Sequence, residues 1–194
     1  MMIAQQKRRE NIAEYLLYMW QVEDIIRACR LDIGLIDQNI ISRYPVSDKE
    51  RAEMRDWWES LIDMMRLENK QERGHLQINK NVLIRLNDLH VQLLKSTQYP
   101  QYGAQFYQVL PFIVELRSKT PQEEQAGELE TCFNALYGIM TLRLQGKAVG
   151  KETEKAMGHI SYFIGLLAAY YKKDEEKPLF SDDDSINQSF NNSL

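Results

Sequence analysis

Cysteine is nearly absent from this chain. The two that occur, Cys29 and Cys132, fall inside apolar helical patterns and share no Cys-x-x-Cys or metal-type spacing, which excludes a disulfide framework and a zinc knuckle. Both are expected to be reduced core residues. A basic excess is missing too. The formal net charge is −4, so the chain has no field with which to hold a phosphate backbone, and no nucleic-acid partner is expected. Nor does any apolar run reach the roughly 20 residues that a membrane-spanning helix needs. The most hydrophobic window, Ala156 to Tyr171, is shorter, holds His159 and runs into charge, so it reads as a central bundle helix and no membrane is expected. The opening MMIAQQKRRE carries positive charge without an apolar stretch behind it, which predicts a protein that stays in the cytoplasm.

Catalytic signatures are also missing. The chain contains neither Gly-x-Gly-x-x-Gly nor Gly-x-x-x-x-Gly-Lys-Ser/Thr, no serine in a Gly-x-Ser-x-Gly elbow, and no cysteine next to a histidine. A carboxylate-bridged metal site in a bundle needs two Glu-x-x-His pairs from different helices. Only Glu72-Arg73-Gly74-His75 has that form, and its glycine marks a helix end, so neither metal nor cofactor is expected.

What is present is helix. With 194 residues, 44% hydrophobic and 27% charged, the chain is long enough to bury one large core. The expectation is an all-α, single-domain bundle of about six or seven helices over residues 1–173, followed by an acidic, flexible tail at 174–194. The first helix is expected from about Gln5 to about Asp32. Ser47-Asp48-Lys49-Glu50 is a capping box that starts a helix at Asp48, with Met54, Trp57, Trp58, Leu61, Met64 and Met65 as its apolar stripe. Leu76 to Ser96 is the next. Tyr99 to Gly103 reads as a loop, Ala104 to Arg117 as a helix that Pro111 kinks or divides, and Thr120-Pro121 as the start of the sixth helix. Gly150 to Lys173 is the last, with a seam of small residues at Gly158, Ser161 and Gly165 that would admit a close helix neighbour.

Three separated blocks carry a resemblance. Glu10-Asn11-Ile12-Ala13-Glu14-Tyr15-Leu16-Leu17-Tyr18-Met19-Trp20-Gln21-Val22-Glu23-Asp24, then Leu110-Pro111-Phe112-Ile113-Val114-Glu115-Leu116-Arg117, then Leu136-Tyr137-Gly138 with Leu142-Arg143-Leu144, Gly146-Lys147 and Glu152-Thr153, resemble an uncharacterised bacterial domain-of-unknown-function family. The resemblance implies an all-helical cytoplasmic protein of a bacterium. It implies no activity, cofactor or catalytic residue.

Polar residues on apolar faces define the candidate site. Glu23 and Arg27 lie four apart in the first helix, in the best order for an intrahelical pair. His90 shares a helical face with Leu83, Leu86, Leu93 and Leu94, with Asn79 and Asn87 flanking it. Arg117 and Arg143 fall on apolar faces in the last turns of their helices. If these converge, Glu23, Arg27, His90, Arg117 and Arg143 line a pocket for an anionic small molecule. If they do not, Glu23 and Arg27 form a structural ion pair, His75 is a solvated residue at a helix end, and the arginines are stems reaching water. Adjacent Trp57 and Trp58 face about 100° apart, which leaves one at the rim of the core, where it suits a protein partner or a homo-oligomer. Two functions remain open: a non-enzymatic cytoplasmic protein acting through protein-protein contact or self-association, and an anion-binding protein with a polar pocket between helices.

Overall fold

A computed structural model describes residues 2–122 and 125–180. Among them are eight α-helices and no strand, which makes the chain all-α as its sequence predicts. The helices are α1 (Met2–Glu10), α2 (Ile12–Ala28), α3 (Ile33–Asn39), α4 (Asp48–Leu67), α5 (Gln77–Lys95), α6 (Pro100–Ser118), α7 (Glu128–Leu144) and α8 (Lys151–Glu176), with a 3-10 turn at Ile41–Arg43. They gather into two compact units, one ending at Ile84 and one beginning at Arg85, so that the division falls within α5.

The expected first helix is two helices. Asn11 leaves the helical region with φ −154°, and its side-chain oxygen accepts from the amides of Ala13 and Glu14 at 3.0 and 3.2 Å. An asparagine that caps a new helix this way ends the old one, whatever the apolar period on either side. At the other end α2 stops at Ala28, because Arg30 and Leu31 both turn left-handed, with φ 55° and 58°. A branched-chain residue rarely adopts that conformation. Here the Leu31 amide closes on the Ile26 carbonyl at 2.9 Å, and the Leu31 carbonyl accepts from Arg66 at 3.1 Å.

The capping box at Ser47 and Glu50 forms as the sequence predicts, with both reciprocal bonds present. In α4, Met54, Trp58, Leu61, Ile62 and Met65 are buried, and Trp57 sits edge-on to Trp58 at the half-buried rim.

Two boundaries in the second unit differ from expectation. Tyr99 to Gly103 is not a loop: Pro100 takes the first helical position of α6, where a missing amide costs nothing, and Tyr102 is fully buried. Pro111 stays inside that one helix. The α-helix expected to start at Thr120-Pro121 begins only at Glu128, with Gly127 as its cap. The Gln125 side chain donates to the carbonyls of Arg117 and Thr120, satisfying the end of α6. The last helix continues three residues past the expected bundle edge, to Glu176. The remainder of the expected tail, from Ser181, lies outside the described residues.

Candidate functional site

In the first unit, the side chains of one turn of α2 grip the connection between α4 and α5. Glu23 is completely buried. Its carboxylate accepts three hydrogen bonds: from the Leu76 amide at 2.9 Å, the Asn79 side-chain amide at 2.7 Å, and the His75 ring nitrogen Nδ1 at 2.6 Å. Arg27 does not pair with it. Its guanidinium donates to the carbonyls of Lys70 and Gly74 and to Asp24, the last at 2.8 Å. The expected Glu23–Arg27 ion pair is therefore absent. The acid meets donors at the start of α5 and the base meets carbonyls of residues 70–74, each finding partners of the opposite character. Gly74, at φ +81°, supplies the left-handed turn that presents its carbonyl.

His75 is not a solvated end residue. Its ring stacks on Trp20, 4.1 Å between centroids at an interplanar angle of 13°, and its side chain is about a quarter exposed. The sequence signal for this was weak, because the stack joins residues 55 positions apart across a glycine turn. Chemically the group is a buried carboxylate orienting a partly exposed imidazole.

The second unit holds a different histidine. His90 is buried among Tyr102, Phe106 and Phe163, all edge-on or steeply inclined to its ring. The Tyr102 hydroxyl lies 2.6 Å from Nδ1. Nε2 has no hydrogen-bond partner among the described residues, and the nearest carboxylate oxygen, on Glu128, is 4.0 Å away. A carboxylate at that distance favours the tautomer with its proton on Nε2, so the tyrosine donates to Nδ1. Burial drives the His90 pKa down to about 4. The same desolvation raises Tyr102 strongly and pushes the Cys132 thiol up to about 12, with Glu128 adding to the latter. All three are held neutral near pH 7, and a thiol so placed is a poor nucleophile. Cys132 is fully buried as expected, whereas Cys29 is only half-buried.

Arg117 and Arg143 line two different hollows. Arg117 lines a small cleft of about 170 Å³ with Thr120, Gln125, Thr131 and Asn134. Arg143 lies on a larger hollow of about 480 Å³ between α7 and α8, walled by Leu136, Ile139, Met140, Leu144 and Met157. His90 lines neither. The larger hollow exists because α7 is buried only in its first half. Leu129, Thr131, Cys132 and Phe133 are covered, no residue from Leu136 to Leu144 is, and Leu144 itself is 68% exposed.

Among the described residues no three His, Cys, Asp or Glu side chains are grouped so as to hold a metal, and no helix is long and apolar enough to cross a membrane. The described residues form an all-helical protein. The chain belongs to the family described as "Domain of unknown function (DUF4924)", whose model matches residues 1–178. No curated protein and no solved structure matches it.

Proposed function

We propose that this is a non-enzymatic cytoplasmic protein acting through protein-protein contact, and that the contact is a pairing of two copies through the α7–α8 face of the second unit. The observation that carries the reading is the uncovered half of α7. An amphipathic helix that turns Leu136, Ile139, Met140 and Leu144 toward an open hollow has an apolar face that no other described residue covers fully. The α8 side of the hollow presents Gly158 and Ser161, and both Gly158 and Gly165 have open space where a side chain would stand. A second backbone can approach closely there. Tyr162, 62% exposed, stands beside them as an aromatic knob.

Charge supports a second copy as the occupant. The face carries one arginine and one glutamate, Arg143 and Glu154, both more than half exposed and 3.9 Å apart. A twofold axis through the hollow would set Arg143 of one copy against Glu154 of the other, the self-complementarity an isologous interface requires. The non-catalytic part of the reading rests on the histidines. His75 is occupied by Glu23 and Trp20, and His90 is enclosed by aromatic rings.

Sedimentation equilibrium tests the pairing. The expected species has twice the 22.8 kDa chain mass. Leu144→Asp should return it to monomer with little change in thermal stability, since that side chain packs on little within its own chain. A chain that stays monomeric at the highest soluble concentration overturns the pairing. A Leu144→Asp chain that still dimerises removes the assigned face.

A further inference from the structure

We propose that the cleft at the end of α6 is a binding site for a small oxyanion, with Arg117 as its principal contact. Arg117 is the C-terminal arginine of α6, and its Nε lies buried without a hydrogen-bond acceptor among the described residues. An arginine is charged at every accessible pH, and a buried, unanswered guanidinium donor is a cost that the fold has left in place. The two other candidate-site arginines have partners. Arg27 has two carbonyls and Asp24, and Arg143 has Glu154.

The surroundings of Arg117 suit an anion. The cleft is about 170 Å³, and among the described residues its polar lining beside Arg117 consists of Thr120, Gln125, Thr131 and Asn134, none of them acidic. Gln125 is fixed, because its amide already donates to the carbonyls of Arg117 and Thr120. Thr131 is likewise committed, its hydroxyl donating to the Gly127 carbonyl at 2.9 Å. Thr120 and Asn134 therefore remain as the neutral donors beside the guanidinium. One planar fork flanked by two neutral donors matches a carboxylate or a phosphate, and the volume limits the ligand to a small one. This site is separate from the α7–α8 hollow and does not depend on the pairing of copies.

The test is a titration of the intact 15N-labelled chain with inorganic phosphate and, separately, with acetate, using sodium chloride at matched ionic strength as control. The backbone amides of Thr120 and Gln125, together with the Arg117 Nε–H in the native chain, should move saturably with one of the two and not with chloride, and which of them acts distinguishes a phosphate from a carboxylate ligand. Arg117→Lys, which keeps the charge and loses the fork, should bind about tenfold more weakly. Arg117→Met should not bind. No saturable movement with either anion overturns the proposal, as does equal binding by the Arg117→Met chain.

Discussion

Each unit encloses one histidine and one strongly polar neighbour, and the two solve the same electrostatic problem in opposite ways. In the first unit a full negative charge, Glu23, is kept inside and surrounded: a backbone amide, an asparagine amide and the His75 ring all donate to it. At His90, in the second unit, charge is kept out. Among the described residues His90 hydrogen-bonds only to the Tyr102 hydroxyl amid aromatic rings, and burial drives its pKa down to about 4. The contrast teaches where each unit should be sensitive. A charge held by several donors fails when any part of the network is cut, whereas a group held neutral fails when protons are supplied.

Cutting the first network should have the largest effect. Glu23→Ala leaves three donors without an acceptor, two of them deeply buried, and should destabilise the chain by about 3 kcal/mol or more. Glu23→Gln keeps one oxygen acceptor and the side-chain volume, so about half that loss is expected. Urea unfolding at pH 7 checks both. Equal, small losses for the two variants would mean that the donors find water, and that the first unit is not organised around this carboxylate.

Acid should act on the second unit. The unfolded chain takes up a proton at His90 near the ordinary pKa of 6.5, and the folded chain does so only near 4. Stability contributed by the neutral ring is therefore fully present above pH 6.5 and is lost as the pH falls from 6.5 to 4. The slope approaches 1.4 kcal/mol per pH unit, and the total is about 3 kcal/mol, reduced to the extent that Glu128 accepts the imidazolium. A His90→Phe/Tyr102→Phe chain, which removes ring and hydroxyl together, should lose the pH dependence between 6.5 and 5, above the ordinary carboxylate range. Parallel curves for variant and native chains across that interval would show that His90 protonates without cost.

Much of this architecture is written in local signals. The capping box at Ser47, the stripe of α4 and the long α8 follow from periods and caps that act within a turn or two of the chain. The division at Asn11 was hidden because a capping asparagine and a helix-interior asparagine differ only in backbone angle, and the apolar pattern runs straight across it. The left-handed pair Arg30–Leu31 carries no glycine to announce it. At the candidate site, the burial of Glu23 and His90 was legible from helical spacing, but their partners were not. Glu23 and Arg27 sit at the spacing of an ion pair, and nothing local says that residues 70–79 will outcompete Arg27 for the carboxylate. The Trp20–His75 stack is invisible for the same reason: it depends on where a turn built on Gly74 places a ring. Arg117 and Arg143 were recognisable as cations on apolar faces, while the separate hollows they line depend on where α7 begins, seven residues later than Thr120-Pro121 suggests.

The smallest expected effect separates the two halves of the α2 grip. Arg27 holds the Lys70 and Gly74 carbonyls from a side chain that is only 16% exposed, and Asp24 shares its charge from a more open position. These bonds join backbone that water reaches, so Arg27→Met should cost about 1 kcal/mol of global stability, less than Glu23→Gln. The effect should be local instead. Releasing both carbonyls frees residues 68–74 while Glu23 still anchors the Leu76 amide, so amide exchange should accelerate in that stretch and stay unchanged at Leu76 and Asn79. If exchange rises equally on both sides of Gly74, the acid and the base act as one cooperative network. The first unit would then depend on its paired donors and acceptors as a whole, a stronger form of the contrast with the solitary His90.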